Sequence, residues 1–406
     1  MQNNVSNENI NKWDFADKDN VSICEDTRPT LTYWADVWYR FKKNKLAILG
    51  LVMTALIFIA AFIGPLFSDR LYSDQVLENS NIPPRFIVRN IGDADGDGKD
   101  DFVYVHKEFK IISVTEDGHI IGSVPIAKND IINRQNTFQL GDKEIVVDFK
   151  KAADKSIKNA DEKYDLLVDG QKIENGKKVF NKTNFFGTDS SGRDILIRIL
   201  YGGRISLTVG VVAAIMNCLV GILYGGISGY EGGRTDNIMM RIVDFLSSIP
   251  LLLIVILIGV FVQSTGLLTI VLTIGLVYWV DMARLVRGQV MTLKQQEFVL
   301  AARTLGASKA RIISKHLIPN ALGPIVVSMM MSVPSAIFTE SFLSFIGLGV
   351  SAPQASWGTL ASDALGVIRS FPYQLIFPSV AIALTMFALN FVGDGLRDAL
   401  DPKQRN

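Results

Sequence analysis

Apolar positions in this chain gather into a few long runs that flank one polar block. Residues 46–67, LAILGLVMTALIFIAAFIGPLF, hold no charged residue at all. A bilayer core takes about 20 mostly apolar residues in helical form, so this run predicts a crossing helix. Five more runs follow: 206–224, rich in Gly, Ala and Val; 242–262, interrupted by Asp244 and Pro250; the short 266–280; 321–338, with Pro324 and Pro334; and 375–392, with Pro378 and Asn390. Between 68 and 185 the pattern changes. Short β-branched or aromatic runs at 102–105, 109–114, 144–149 and 164–168 alternate with Asp, Gly, Asn and Lys, which predicts a small β-rich domain. The expected architecture is an all-α polytopic membrane protein of six transmembrane helices with an inserted extracytoplasmic β-rich domain. Its expected parts are a cytoplasmic tail 1–44, a first helix 45–67, an insert 68–185, a five-helix core 186–400 with a cytoplasmic loop 282–319, and a tail 401–406.

Charge sets the orientation. Arg40, Lys42, Lys43 and Lys45 precede the first run, and basic residues favour the cytoplasmic side, so the N-terminus is expected inside. The stretch 281–319 holds seven basic residues (Arg284, Arg287, Lys294, Arg303, Lys309, Arg311, Lys315) against Asp281 and Glu297, as a cytoplasmic loop between the fourth and fifth spans requires. Arg397, Lys403 and Arg405 agree at the C-terminal end. Arg193, Arg198 and Arg204 run against the scheme, since they flank the second span on its outer side. The first 30 residues are polar and acidic, which predicts no cleavable signal peptide. With 49% hydrophobic residues, a net charge of +1 and a mean hydropathy of +0.27, the chain belongs in lipid and not on nucleic acid. Cys24 and Cys218 form no metal pattern and are not expected to pair.

One cytoplasmic segment stands out: EFVLAARTLGASKARIISKHLIPN, 297–320. Residues 295–305 suit a helix with Phe298, Ala301, Ala302 and Leu305 on one side, Gly306 ends it, and 308–317 suits a second helix. From pattern alone this is equally a basic loop that holds two spans in register. The segment resembles the "EAA" loop of binding-protein-dependent ABC importers, through Ala301, Ala302, Gly306, Ile318 and Pro319. Glu297 stands where dipeptide and oligopeptide permeases place an acid, while Leu300 replaces a glutamate common elsewhere in the family. Further matches to the dipeptide/oligopeptide/nickel group are NFFGTDSSGRDILIRILYGGRISLT (184–208), Arg284-Leu-Val-Arg287-Gly, SFIGLG (344–349), SWG (356–358) and GDGLRDALDP (393–402).

The resemblance implies a type I importer permease fold and a C-type subunit. It implies docking on a cytoplasmic ATPase through Glu297, Ala301, Ala302, Gly306, Ala307, Ile318 and Pro319. The implied partners are a homologous second permease, two ATPase subunits carrying ATP and Mg²⁺, and an extracellular substrate-binding protein. Peptide is the implied substrate and the bacterial plasma membrane the location. Nickel or another small solute stays open within the class; an ion-coupled secondary transporter or a membrane-anchored sensor stays open outside it.

The remaining chemistry is sparse. His106, His119 and His316 are scattered without a nucleophile, and the sequence has no GxxxxGK[ST] loop, so the chain is expected to be no enzyme and to borrow its ATP hydrolysis. Asp244, Asp281, Glu340 and Asp394 lie in or beside apolar spans, where charges face a cavity or a partner. Asp244 and Glu340 are candidates for a translocation path; pairing with Arg241, Arg284 or Arg397 is the alternative. In the insert, Asp93, Asp95, Asp97, Lys99 and Asp101 form an acidic loop with carboxylates at alternate positions. Such spacing can wrap Ca²⁺, as in single β-propeller-type loops, or form a solvated turn; Tyr104 stands where an EF-hand would need its bidentate glutamate.

Overall fold

The computed structural model describes residues 32–154, 156–157, 162–263, 266–350 and 353–401. Cys24, Lys403, Arg405 and most of both expected tails lie outside them.

Helix α1 (Tyr33–Lys43) leads into α2 (Lys45–Phe62). Asn44 separates the two, and its side chain accepts the Leu46 and Ala47 N–H groups at 3.1 and 3.2 Å, so α2 starts on a capped end. The α-helix stops before Pro65, and Gly64–Phe67 forms a tighter 3-10 turn. After the insert, α3 (Ile195–Glu231) runs for 37 residues, much longer than the expected 206–224. Asp194 caps it, accepting from Leu196 and Ile197 at 2.9 and 3.3 Å. The three arginines that ran against the charge scheme are all engaged. Arg193 and Arg198 bind the Asp189 carboxylate at 2.7 and 2.5 Å, and Arg204 donates to the Ala61 and Phe62 carbonyls that end α2.

The expected third span is broken. Helices α4 (Gly233–Ser248) and α5 (Leu251–Val262) meet at 89°. Pro250 forbids helical geometry at the preceding residue, and Ile249 is extended at φ −86°, ψ 124°. The described residues therefore contain five helices long and apolar enough to cross a membrane, and reach six only if this bent pair counts as one crossing. Helices α6 (Leu267–Val277) and α7 (Trp279–Leu293) run on as one candidate crossing helix of 27 residues, whose second half, with Asp281, Arg284 and Arg287, extends into what the charges marked as loop. Then follow α8 (Glu297–Thr304), α9 (Lys309–Ile312), α10 (Ile318–Asn320), α11 (Leu322–Leu343), α12 (Trp357–Asp363) and α13 (Tyr373–Leu400).

The insert is made of two five-stranded antiparallel sheets. The first is ordered β10-β1-β2-β3-β4, from β1 (Arg85–Gly92), β2 (Asp101–Val105), β3 (Ile111–Val114), β4 (Ile120–Val124) and β10 (Lys177–Phe180). The second is ordered β5-β6-β7-β8-β9, from β5 (Ile126–Asp130), β6 (Gln135–Leu140), β7 (Lys143–Asp148), β8 (Asp165–Val168) and β9 (Gln171–Ile173). The sheets share a core in which Val103, Val105 and Ile111 meet Phe138, Ile145 and Leu166. The first sheet also buries its other side, through Phe86, Val88, Tyr104 and Ile112.

That sheet is seated on the start of α13. His106, just past β2, is 1% exposed, contacts the Asn81 carbonyl through Nε2 at 3.0 Å and stacks on Phe371 at 5.8 Å. The Tyr373 hydroxyl donates to the Ile82 and Thr188 carbonyls, and Gln374 donates to Asn81 Oδ1 at 2.9 Å.

Candidate functional site

Among the segments singled out by sequence, 297–320 has the most defined local geometry. Helix α8 ends in a Schellman turn: the Ala307 N–H reaches the Ala302 carbonyl at 3.0 Å and the Gly306 N–H reaches that of Arg303 at 2.9 Å. Gly306 holds φ +77°, the left-handed conformation this closure requires. Ser308 then caps α9. Residues 313–317, expected as ordinary helix, form a π turn instead. Pro319 has no N–H to return to residue 315, and its ring displaces that carbonyl, so the ladder widens.

The structure divides the expected apolar side of α8. Of its four residues only Ala302 turns inward, buried beside Val299, which was not expected on that side, whereas Phe298, Ala301 and Leu305 face out, Leu305 at 88% exposure. Glu297 and Pro319 are also exposed, and Ala307 and Ile318 are half-buried. The loop thus presents an apolar, small-centred ridge to its surroundings. Ala302 contributes to the ridge from beneath, in a core with Val286, Val290, Ile312 and Leu317.

This core ties the ridge to the bundle. Gly221, Gly225 and Gly229 recur every fourth residue on α3, and α7 packs directly onto them. A Cβ on Gly225 would lie 2.3 Å from the Ala283 carbonyl oxygen, and one on Gly229 would lie 2.8 Å from that of Arg287. Just below this seam, Asp236 of α4 is 5% exposed and accepts from Arg287 Nε and Nη2 at 2.5 and 2.6 Å and from Ser228 Oγ at 2.5 Å. Lys294 donates to the Gly229 carbonyl at 2.8 Å, Lys309 pairs with Glu231 at 2.9 Å, and Arg303 lies over the Tyr230 ring. The end of α3, the start of α4, α7 and the ridge therefore make one block. Sequence reading missed the Asp236–Arg287 pair; Asp236 lies in the polar stretch YEGGRTDN (230–237) and its partner is 51 positions on, so no local signal marked it.

The two candidate path residues share no partner. Glu340 is fully buried on α11, accepting hydroxyls from Ser206 of α3 at 2.7 Å and from Ser344 at 2.8 Å. Asp244 is exposed and pairs with Arg284 at 3.1 Å, an arrangement anticipated as the alternative to a path role. Asp281 contacts the same arginine at 3.7 Å, and Asp394 is exposed. A cleft of about 690 Å³ opens instead between α1, α7, α11 and α13, with Leu285, Val327 and Met331 on its walls and Gln289, Asn320 and Arg397 at polar positions.

In the acidic loop, carboxylate oxygens of Asp93, Asp95 and Asp101 lie within 4.8 Å of one another. The side chains of Asp97 and Lys99 are not part of that group; Asp97 accepts the Lys99 N–H at 2.8 Å instead. Backbone N–H groups of Gly98 and Gly96 donate to Asp93 and hold its pKa below the ordinary carboxylate range.

Residues 221–406 match the family described as binding-protein-dependent transport system inner membrane component. Residues 32–84 match the N-terminal TM domain of oligopeptide transport permease C. The oligopeptide transport system permease protein OppC of Bacillus subtilis (strain 168) is 39% identical over 379 residues, 93% of this chain and 92% of that protein. The dipeptide transport system permease protein DppC of Lactococcus lactis subsp. cremoris (strain MG1363) is 33% identical over 404 residues, 98% of each chain. OppC of Escherichia coli (strain K12) is 51% identical over 222 residues, 55% of this chain and 73% of that protein.

Proposed function

The chain belongs to the binding-protein-dependent inner membrane transport components, among the oligopeptide and dipeptide permeases, and from that membership we propose how its parts carry peptide into the cell. It is a transport subunit of a peptide importer, and the observation that carries this is 39% identity over 93% of its length to an oligopeptide permease. Its proposed setting is an assembly with a second homologous permease, two cytoplasmic ATPases that bind ATP and Mg²⁺, and an external binding protein. We read both termini as cytoplasmic, the insert as extracytoplasmic and the helices as a type I importer bundle.

The ridge of Phe298, Ala301 and Leu305 is the proposed ATPase contact. Apolar groups left in water at this density favour a partner surface, and the Schellman turn at Gly306 fixes the ridge without a bound partner. Closure of the ATPases would push on α8, and the block of α3, α4 and α7 would carry that push into the bundle as a rigid-body rotation. Glu340, tied to Ser206 and Ser344, is read as pinning α11 to α3 instead of lining the path. The acidic loop is read as a Ca²⁺ site of extracellular strength, on Asp93, Asp95 and Asp101.

Affinity purification of the tagged chain from native membranes tests the assembly. Two ATPases and a second permease are expected to co-purify, and the purified complex in liposomes should take up labelled peptide only with ATP inside and binding protein outside. Peptide uptake that survives removal of the ATPases would contradict the proposal.

A further inference from the structure

Helix α1 lies where a membrane surface must be. It ends at Lys43, Asn44 caps the next helix, and the apolar α2 begins one residue later. Among the described residues, protein packs on one side of α1: Val37 and Phe41 are buried against Ala47, Val392, Ala399 and Leu400. The flank beside them carries Trp34 and Trp38, one turn apart and 53% and 49% exposed. Lys42 extends the same stripe by another turn, its Nζ 5.2 Å from the Trp38 ring, and Lys43 sits over Tyr39 on the opposite flank. Arg40 is taken by Asp36 at 2.6 Å, whereas Lys42, Lys43 and Lys45 have no carboxylate within ion-pair reach among the described residues.

We propose that α1 is an interfacial helix that binds anionic phospholipid, with the Trp34–Trp38 flank at the boundary between acyl chains and headgroups and the three lysines on the headgroup phosphates. Indole rings favour that boundary because they are apolar in body and polar at one edge. Lysine stems lie along apolar surface while the ammonium reaches outward to the phosphates. A helix with this division lies in the membrane plane, and its basic residues concentrate acidic lipid beside it. The covalent junction to α2 fixes the depth of α1, and the three lysines, which meet no carboxylate among the described residues, fix the sign of the charge it meets. The inference does not depend on which solute the chain transports.

The test uses the complete complex in nanodiscs of phosphatidylcholine and phosphatidylglycerol, with bromine near the headgroup end of the acyl chains of one lipid or the other. Wild-type tryptophan emission is expected to be quenched about twofold more strongly when phosphatidylglycerol carries the bromine at equal bulk fraction. The lysine variant K42Q/K43Q/K45Q should quench equally with either lipid, and W34F/W38F should lose the shallow component that Trp34 and Trp38 contribute, leaving only the emission of the remaining tryptophans. Equal quenching by both lipids in the wild type would overturn the anionic preference. A wild-type minus W34F/W38F difference spectrum, which cancels the emission of the other tryptophans, with no shallow quenching in it would place α1 away from the lipid and overturn the proposal.

Discussion

The seam between α3 and α7 gives a prediction whose size follows from the structure. In Gly225→Ala the new methyl would stand 2.3 Å from the Ala283 carbonyl oxygen, against the 3.4 Å at which ordinary contact begins, so the helices must part by about 1 Å. The obstacle is backbone and cannot rotate away. Overpacking of this kind costs about 1–3 kcal/mol. Alanine is also the better helix former, by about 1 kcal/mol, which would mask part of the damage. Gly288→Ala on α7 supplies the control: the same change in helix preference, with nothing within 4 Å of the new Cβ. The difference between the two variants isolates the contact. Gly229→Ala, at 2.8 Å from the Arg287 oxygen, should fall between them, and Gly226→Ala, at 3.4 Å from an Ile313 methyl, should be mild. Thermal unfolding of the purified complex gives the stability order, and peptide uptake per ATP hydrolysed in liposomes gives coupling. Coupling should fall in the same order as stability, with hydrolysis retained. A Gly225→Ala complex as stable and as well coupled as Gly288→Ala would refute the rigid seam.

Other outcomes follow from the same contacts. Asp236→Asn strips the charge partner from Arg287 and should cost about 2–3 kcal/mol and lower coupling, while the double variant with Arg287→Met should recover much of the stability, as both charges are then gone; thermal unfolding of the complex checks both. Burial at the seat of the insert pushes the His106 pKa below its ordinary 6.5, with the nearby Glu108 carboxylate opposing. The unfolded chain then binds this proton more readily, so His106 favours the fold fully above pH 6.5 and loses that contribution as pH falls further. His106→Gln should flatten the acid limb of a stability–pH profile, and an unchanged limb would assign the slope to other groups. Millimolar Ca²⁺, the range in which extracellular modules fill at ~10⁻⁴–10⁻³ M, should raise the unfolding temperature of the wild type and not of Asp93→Asn; no shift in the wild type would leave the loop a solvated turn.

Local signals in the sequence carried far. The charge-free first run and the glycine stop at 306 each act within a few residues, and each is present in the structure. The strands with apolar runs, β2, β3, β7 and β8, were legible for the same reason. Strands β6 and β10, QNTFQL and KKVF, show little pattern of their own: β6 is held in hairpins with β5 and β7, and β10 by pairing with the distant β1. Pro250 announced a break but not its 89° bend, which depends on what α4 and α5 pack against. The apolar arc of α8 was also visible in the spacing, yet only packing against Ile312 and Leu317 decides that Val299 and Ala302 turn inward and Leu305 outward. Asp236 and Arg287 are separated by 51 positions, and nothing local links them.

The proposed function requires the ridge to face the cell interior and to be covered by the ATPases. Ser308 is exposed beside that ridge, and with Cys24 and Cys218 the only native cysteines, a Ser308→Cys variant lacking both can be labelled at one site. A membrane-impermeant maleimide should leave intact cells unlabelled, react with inside-out vesicles stripped of ATPase, and be blocked when purified ATPases are restored. Labelling of Ser308→Cys from the medium in intact cells would contradict the account at its base.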